Sequence, residues 1–290
     1  MTRSVCSRRH VLATAGAFAS TYALGSAGQP GLLRSYPEGD IYAFRWLLLR
    51  QILEKSAWRD AEIHGLGDSE AVQGRAEILL QSGEIDVACF GISELRLQKL
   101  KPIRIDIMRG LVGLRYFVVR DSDRQRIAAL SDGDFLHTLR FGLQAQWADV
   151  PVMRANGLTL ELSAKSDHLY AMLVGGRCDA LPRGANEILI EIASNRSNAM
   201  PVSIEASRAL YFPYPIYYWV RADDVPLANA IKSGLQRLIG NGRFDMLFRK
   251  HHARELAFIR ESRRRIIRLS AEALPQPLEE PDTRIWWPRH

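Results

Sequence analysis

Cysteine is scarce in this chain, with three in 290 residues. Cys89 and Cys178 lie far apart at or near the ends of expected strands, so the reading is two unpaired, buried thiols acting as small apolar side chains. Two cysteines so separated make a poor metal site. Long apolar runs are missing too: no stretch reaches the roughly 18 residues of a membrane span. An excess of one charge is nearly missing. The 39 Lys and Arg include Arg3, Arg8 and Arg9, all in a 28-residue start without an acid, and 32 Asp and Glu almost balance the rest. That is too mild for the basic stripe of a nucleic-acid binder. The densest basic cluster, Arg263-Arg264-Arg265, reads as a solvated helix end. Catalytic signatures are absent as well: no His-x-x-x-His pair, no Gly-x-Ser-x-Gly elbow and no Gly-rich phosphate loop. No metal and no cofactor is expected.

What is present begins at the N-terminus. Ser7-Arg8-Arg9-His10-Val11-Leu12 precedes a weakly apolar stretch, Ala13–Ala27, rich in Ala, Gly and Ser. It resembles a twin-arginine export signal over residues 1–28, with cleavage after Ala27 and a periplasmic destination. Cys6 precedes the apolar stretch and is not placed as a lipoprotein cysteine.

The rest alternates strand and helix. Leu32–Tyr36 reads as a strand, and Tyr42, Trp46, Leu49, Ile52 and Leu53 recur at helical spacing. A strand at 61–64, a helix from Val72 to Leu80 stopped at Gly83, and a strand at 85–90 follow. Leu114–Arg120, rich in aromatic and β-branched residues, reads as a long strand. The alternation then restarts: strand 139–143, helix 147–155, strand 158–162, helix 167–174, strand 178–181 and helix 185–194. A strand at 216–220 leads into helices at 227–239, 244–251 and about 254–269. This order predicts an α/β fold with mostly parallel sheets in two lobes. Lobe 1 is expected from 29–118 and 215–269, lobe 2 from 119–214, and a surface tail from 270–290 with Trp286-Trp287. Hinge positions fall near 119–121 and 212–215.

Particular residues sharpen this. Leu79-Leu80-Gln81-Ser82-Gly83-Glu84-Ile85-Asp86-Val87 precedes Gly91-Ile92-Ser93-Glu94-Leu95-Arg96. Then come Gly142-Leu143-Gln144, Trp147, Asp149, Gly176-Arg177-Cys178-Asp179 and Gly242-Arg243-Phe244-Asp245. In order and spacing, over about residues 31–252, the chain resembles periplasmic solute-binding proteins of the amino-acid-binding type. The resemblance implies a two-lobed, Venus-flytrap fold of periplasmic binding protein type II with a two-crossing hinge. It also implies a monomer that captures a small molecule for a membrane importer or a sensor receptor and does no covalent chemistry. Arg96 falls where such proteins place a carboxylate-binding arginine. Where polar-amino-acid binders put an aspartate for an α-ammonium, this chain has Pro182-Arg183-Gly184, with Glu187 one helical turn later. A cation in place of an anion points to an anionic solute.

The candidate ligand residues are Arg183, Arg96, Gln144, Trp147, Ser93, Gly91, Tyr36, Arg115 and Glu187. For each arginine a local ion pair competes with ligand binding: Arg96 with Glu94, and Arg183 with Glu187. For Arg183 the Pro–Gly loop expected at a strand end favours the ligand role. Arg115, which starts a strand, reads as structural. Trp147 roofs the cleft or packs its helix, and Asp149 reads as a helix cap. His251-His252 reads as a solvated helix end. Glu187 and Glu191, four apart, form an acid pair on one helix face. The alternative to a binding protein is an exported lyase-like or dehydratase-like enzyme on the same fold, with Glu187 or Asp149 as acid or base.

Overall fold

Arg34, within the first strand, ties that strand to the third by donating to both carboxylate oxygens of Asp86, and a five-stranded sheet is built outward from there. A computed structural model describes residues 31–37, 39–65 and 73–278. The export-signal reading, Val72 and the Trp286-Trp287 tail lie outside the described residues. The first sheet contains β1 (Leu32–Tyr36), β2 (Glu62–Gly65), β3 (Val87–Gly91) and β4 (Leu100–Ile103). Helices α1 (Ala43–Leu53), α2 (Gln73–Ser82) and α3 (Glu94–Lys99) come between them. β3 is buried along its whole length, as a strand covered on both faces must be.

The second sheet is organised on β5 (Leu114–Arg120). The chain continues through α4 (Arg124–Ala128), α5 (Asp132–Thr138), β6 (Arg140–Gln144), α6 (Val150–Ala155), β7 (Thr159–Ser163) and α7 (His168–Val174), β6 and β7 pairing parallel in a small two-stranded sheet of their own. It then passes through β8 (Leu181–Gly184), α8 (Ile188–Ser197), β9 (Val202–Ile204) and β10 (Arg208–Tyr211). β11 (Ile216–Arg221) returns to the first sheet and inserts antiparallel between β3 and β4, giving the order β2-β1-β3-β11-β4. The helices α9 (Val225–Gly240), α10 (Arg243–His251) and α11 (Ala253–Glu261) follow, and β12 (Arg265–Arg268) ends the order. α9 buries Leu227, Ala228, Ile231, Leu235 and Leu238 as one stripe. Its Gly234 lies so close to the Ile52 carbonyl that any Cβ would overlap it, which is how α9 and α1 come into contact.

Three expectations are corrected here. First, β5 pairs with β8, β9 and β10, so all of Leu114–Arg120 belongs to the second sheet. The boundary after residue 118 and the hinge at 119–121 give way to a crossing ahead of Leu114. There Asp106 accepts the backbone N–H of Ile216, Met108 and Gly110. Gly113 runs so close to the return crossing that a Cβ would overlap the Phe212 carbonyl oxygen. Second, the helix expected to 269 stops at Glu261, and β12 pairs parallel with β10. The chain thus crosses once more into the second sheet, and the lobe-1 assignment to 269 fails for β12. Arg263-Arg264-Arg265 is not a helix end: the Arg264 guanidinium lies over Tyr116 and Phe258, and Arg265 pairs with Asp132. Third, His252 is buried against Phe44 and Phe248. Burial, with His251 adding to it, pushes its pKa down to about 3. Cys89 and Cys178 are free and buried.

Candidate ligand cleft

Two adjoining cavities lined by described residues lie between the lobes. The larger, about 350 Å³, is bounded by Tyr36, Tyr42 and Gln73 from the first lobe and by Gln144, Trp147, Tyr170, Arg183, Glu187 and Glu191 from the second. A smaller one of about 90 Å³ adjoins it, sharing Tyr36, Tyr42, Trp147, Arg183 and Glu187 and adding Arg45, Gly91, Arg115, Asp149 and Tyr214. A cavity of the larger size takes a small metabolite; the smaller takes a polar head group or a few waters.

The strand ends and helix starts of the second lobe supply most of the wall. Arg183 is not in a loop. It sits inside β8, opposite Tyr116 of β5, and Pro182 is accommodated because a proline has no N–H to leave unpaired. The Arg183 Nε donates to Glu191 at 2.7 Å, and its Nη2 donates to the other oxygen of the same carboxylate. Glu187 lies 3.3 Å from Nη2. The guanidinium stacks 4.6 Å from the Trp147 ring centre. Tyr170 Oη donates to Glu191 at 3.1 Å. Arg115 lies 2.9 Å from Asp149 and 3.7 Å from Glu187, and Glu187 also accepts the Gly184 N–H at 2.8 Å.

The charges respond unequally. Burial works against the Glu187 carboxylate, but Arg183 and Arg115 outweigh it and hold its pKa below the usual value. For Glu191 burial wins, and the neighbouring Glu187 adds to it, so its pKa is raised despite Arg183. Burial likewise raises Asp149 against the pull of Arg115. Both carboxylate oxygens of Asp149 are buried and, among the described residues, lack a well-aligned hydrogen-bond donor, although Arg115 stands beside one of them. Its side chain makes no cap bond to α6, contrary to the capping role read from its position.

Of the expected ligand residues, Tyr36, Gln144, Trp147, Arg183 and Glu187 border the larger cavity, and Gly91 and Arg115 the smaller. Arg96 and Ser93 border neither. All three guanidinium nitrogens of Arg96 are used within lobe 1: Nε to Glu77 at 2.7 Å, Nη1 to the Gly91 carbonyl at 2.7 Å and Nη2 to Gln73 at 2.8 Å. Its partner is Glu77, one helix back, rather than Glu94. Ser93 caps α3 by accepting the Arg96 N–H.

The residue that sequence reasoning missed is Arg45, on α1. It is 6% exposed, its Nε is buried without a hydrogen-bond partner among the described residues, and Nη1 makes one long bond, 3.4 Å, to the Cys89 carbonyl. The guanidinium lies 4.7 Å from the Tyr42 ring centre. Among the described residues Arg45 has no ion-pair partner. The signal was readable: Arg45, Leu48, Leu49 and Ile52 are all buried on α1 at the i, i+3, i+4, i+7 spacing of a core-facing stripe. A cation on such a stripe is out of place unless something pairs with it.

Two lobes with a ligand-sized cleft between them, joined by adjacent crossings, define the two-lobed Venus-flytrap fold of periplasmic binding proteins. Solved structures agree. An ancestral arginine-binding protein bound to arginine matches at 18% identity, covering 76% of this chain and 97% of that one with a TM-score of 0.56. The periplasmic VFT2 domain of BvgS from Bordetella pertussis matches at 19% identity, covering 76% and 93% with a TM-score of 0.55. A mutant of ArgBP from T. maritima matches at 18% identity, covering 77% and 95% with a TM-score of 0.54. No family model matches the sequence, and no curated protein matches it.

Proposed function

We propose that this chain is an exported solute-binding protein that closes two lobes on a small polar solute carrying an anionic group, for uptake or sensing. The observation that carries the anionic part is Arg45, a buried cation without an ion-pair partner among the described residues, bordering the smaller cavity. Burying an unpaired charge is costly, and a carboxylate or similar anion would supply the missing partner. The solute's anionic end enters the smaller cavity beside Arg45, and its remainder fills the larger one among Tyr36, Tyr42, Gln144 and Trp147. Arg183, the anion contact expected from the sequence, is already neutralised by two glutamates, so the anionic reading moves from Arg183 to Arg45. The structural neighbours support solute capture: by their names they include arginine-binding proteins and a periplasmic Venus-flytrap domain.

Native mass spectrometry of the purified protein checks this, followed by thermal-shift assays with a panel of small mono- and dicarboxylates. The expected outcome is a retained small molecule bearing an acid group, or a saturable rise in melting temperature with at least one panel member. Neither a retained mass nor any shift would remove the solute-binding reading; a retained solute without an acidic group would remove the anionic one. Export is tested separately. Arg8→Lys together with Arg9→Lys should leave the precursor in the cytoplasm, and an unchanged periplasmic yield would count against that route.

A further inference from the structure

The side chains around Arg183 form a recognition set for a guanidinium. One carboxylate, Glu191, takes two of its nitrogens in the bidentate fork that suits arginine. A second, Glu187, stands 3.3 Å away. An aromatic face, Trp147, covers the plane at 4.6 Å, the arrangement of a cation–π contact. Each of these parts is held by something other than Arg183. Glu187 accepts the Gly184 N–H and sits 3.7 Å from Arg115, Glu191 accepts from Tyr170, and Trp147 packs against the hydrophobic core. The seat also opens on the solute volume, because Trp147, Tyr170, Arg183, Glu187 and Glu191 all border the larger cavity.

We propose that Arg183 is a built-in guanidinium: the cleft contains a seat for a cationic group, and the chain fills it with its own side chain, which closes the site to cationic solutes. Arg183 is then a specificity-determining residue. With the seat filled, two of the cleft's glutamates are already neutralised, and a solute bringing its own guanidinium or ammonium meets a cation where a partner should be. This rests on the solute-binding reading, but its test needs no native solute.

The test uses Arg183→Ala in the full chain, with methylguanidinium as probe and methylammonium as control at equal ionic strength. The variant should melt below the parent and regain stability saturably with methylguanidinium. Methylammonium, which lacks the planar fork for two parallel hydrogen bonds to Glu191, should bind at least about tenfold more weakly. The unmodified protein should show no response to either probe. Adding Glu191→Gln to Arg183→Ala should abolish the methylguanidinium effect. If Arg183→Ala does not fold alone, it is refolded with each probe, and recovery with methylguanidinium only supports the seat. A folded variant that ignores methylguanidinium, recovery with neither probe, or an unmodified protein that binds it equally well would overturn the proposal. Failure here with a retained acidic solute would leave solute capture standing. Success here with no solute would remove capture and keep the seat.

Discussion

Replacing Arg45 by methionine should strip the protein of its acidic solute while leaving the solute-free form at least as heat-stable as before. The two halves of this expectation have one cause. Arg45 is buried on the apolar stripe of α1 with an Nε unsatisfied among the described residues, so the solute-free fold carries the desolvation cost of a guanidinium against one long hydrogen bond and the Tyr42 ring face. A hydrophobic side chain of similar length removes that cost, and such replacements are often neutral or stabilising. In the bound form the same arginine would be half of a buried, hydrogen-bonded charge pair. Truncating one partner of such a pair costs about 2–5 kcal/mol, roughly 30- to several-thousand-fold in affinity. Calorimetry or thermal shift against the solute found by mass spectrometry reads the affinity, and a melt without solute reads the stability. A variant that melts well below the parent and still binds would make Arg45 a structural residue and leave the anionic reading without its carrier.

The sequence disclosed the fold better than the site, and the physical reason lies in what each depends on. Two sheets, the return at Pro215 and helix α9 follow from local periodicity and turn residues, which a single chain displays. β9, β10 and β12 did not show. They are three or four residues long, and the last reads Arg-Ile-Ile-Arg, a pattern a helix face accepts equally well. The site depends on partners far apart in the chain. Seven of nine candidate residues border the cavities, because residues at strand ends and helix starts reach the crevice of such folds whatever their type. Their pairings could not be read. Arg183 takes Glu191 as its main partner because β8 and α8 fold back on one another, and Arg96 takes Glu77 across lobe 1. Arg45 lies inside the same helix, but a periodic pattern drawn through Tyr42, Trp46, Leu49, Ile52 and Leu53 assigns it no role.

Loss of Glu187, expected from the sequence as a ligand contact, should destabilise the protein strongly. Its carboxylate stands between two buried cations, 3.3 Å from Arg183 and 3.7 Å from Arg115, and accepts the Gly184 N–H at 2.8 Å. Asp149 gives Arg115 a second partner and Glu191 gives one to Arg183, but burial raises the pKa of both acids. Glu187 alone of the three has a lowered pKa, so it is the carboxylate whose charge the fold favours. Removing one member of a buried ionic cluster costs about 3–5 kcal/mol, which in a protein of this size lowers the melting temperature by roughly 6–20 °C. Glu187→Gln should show most of this loss, because it keeps the shape and removes the charge. The pH dependence follows from the sign of the shift. A carboxyl whose folded pKa lies below its unfolded value stabilises above the unfolded pKa, and that stabilisation is lost as the pH falls through the folded one. The gap between the parent and Glu187→Gln should therefore be full above the ordinary glutamate value of 4.5 and shrink steadily below it. Melting curves at stepped pH measure this directly. A variant as stable as the parent at neutral pH, or a gap that widens on acidification, would show that Arg115 and Arg183 are neutralised without Glu187.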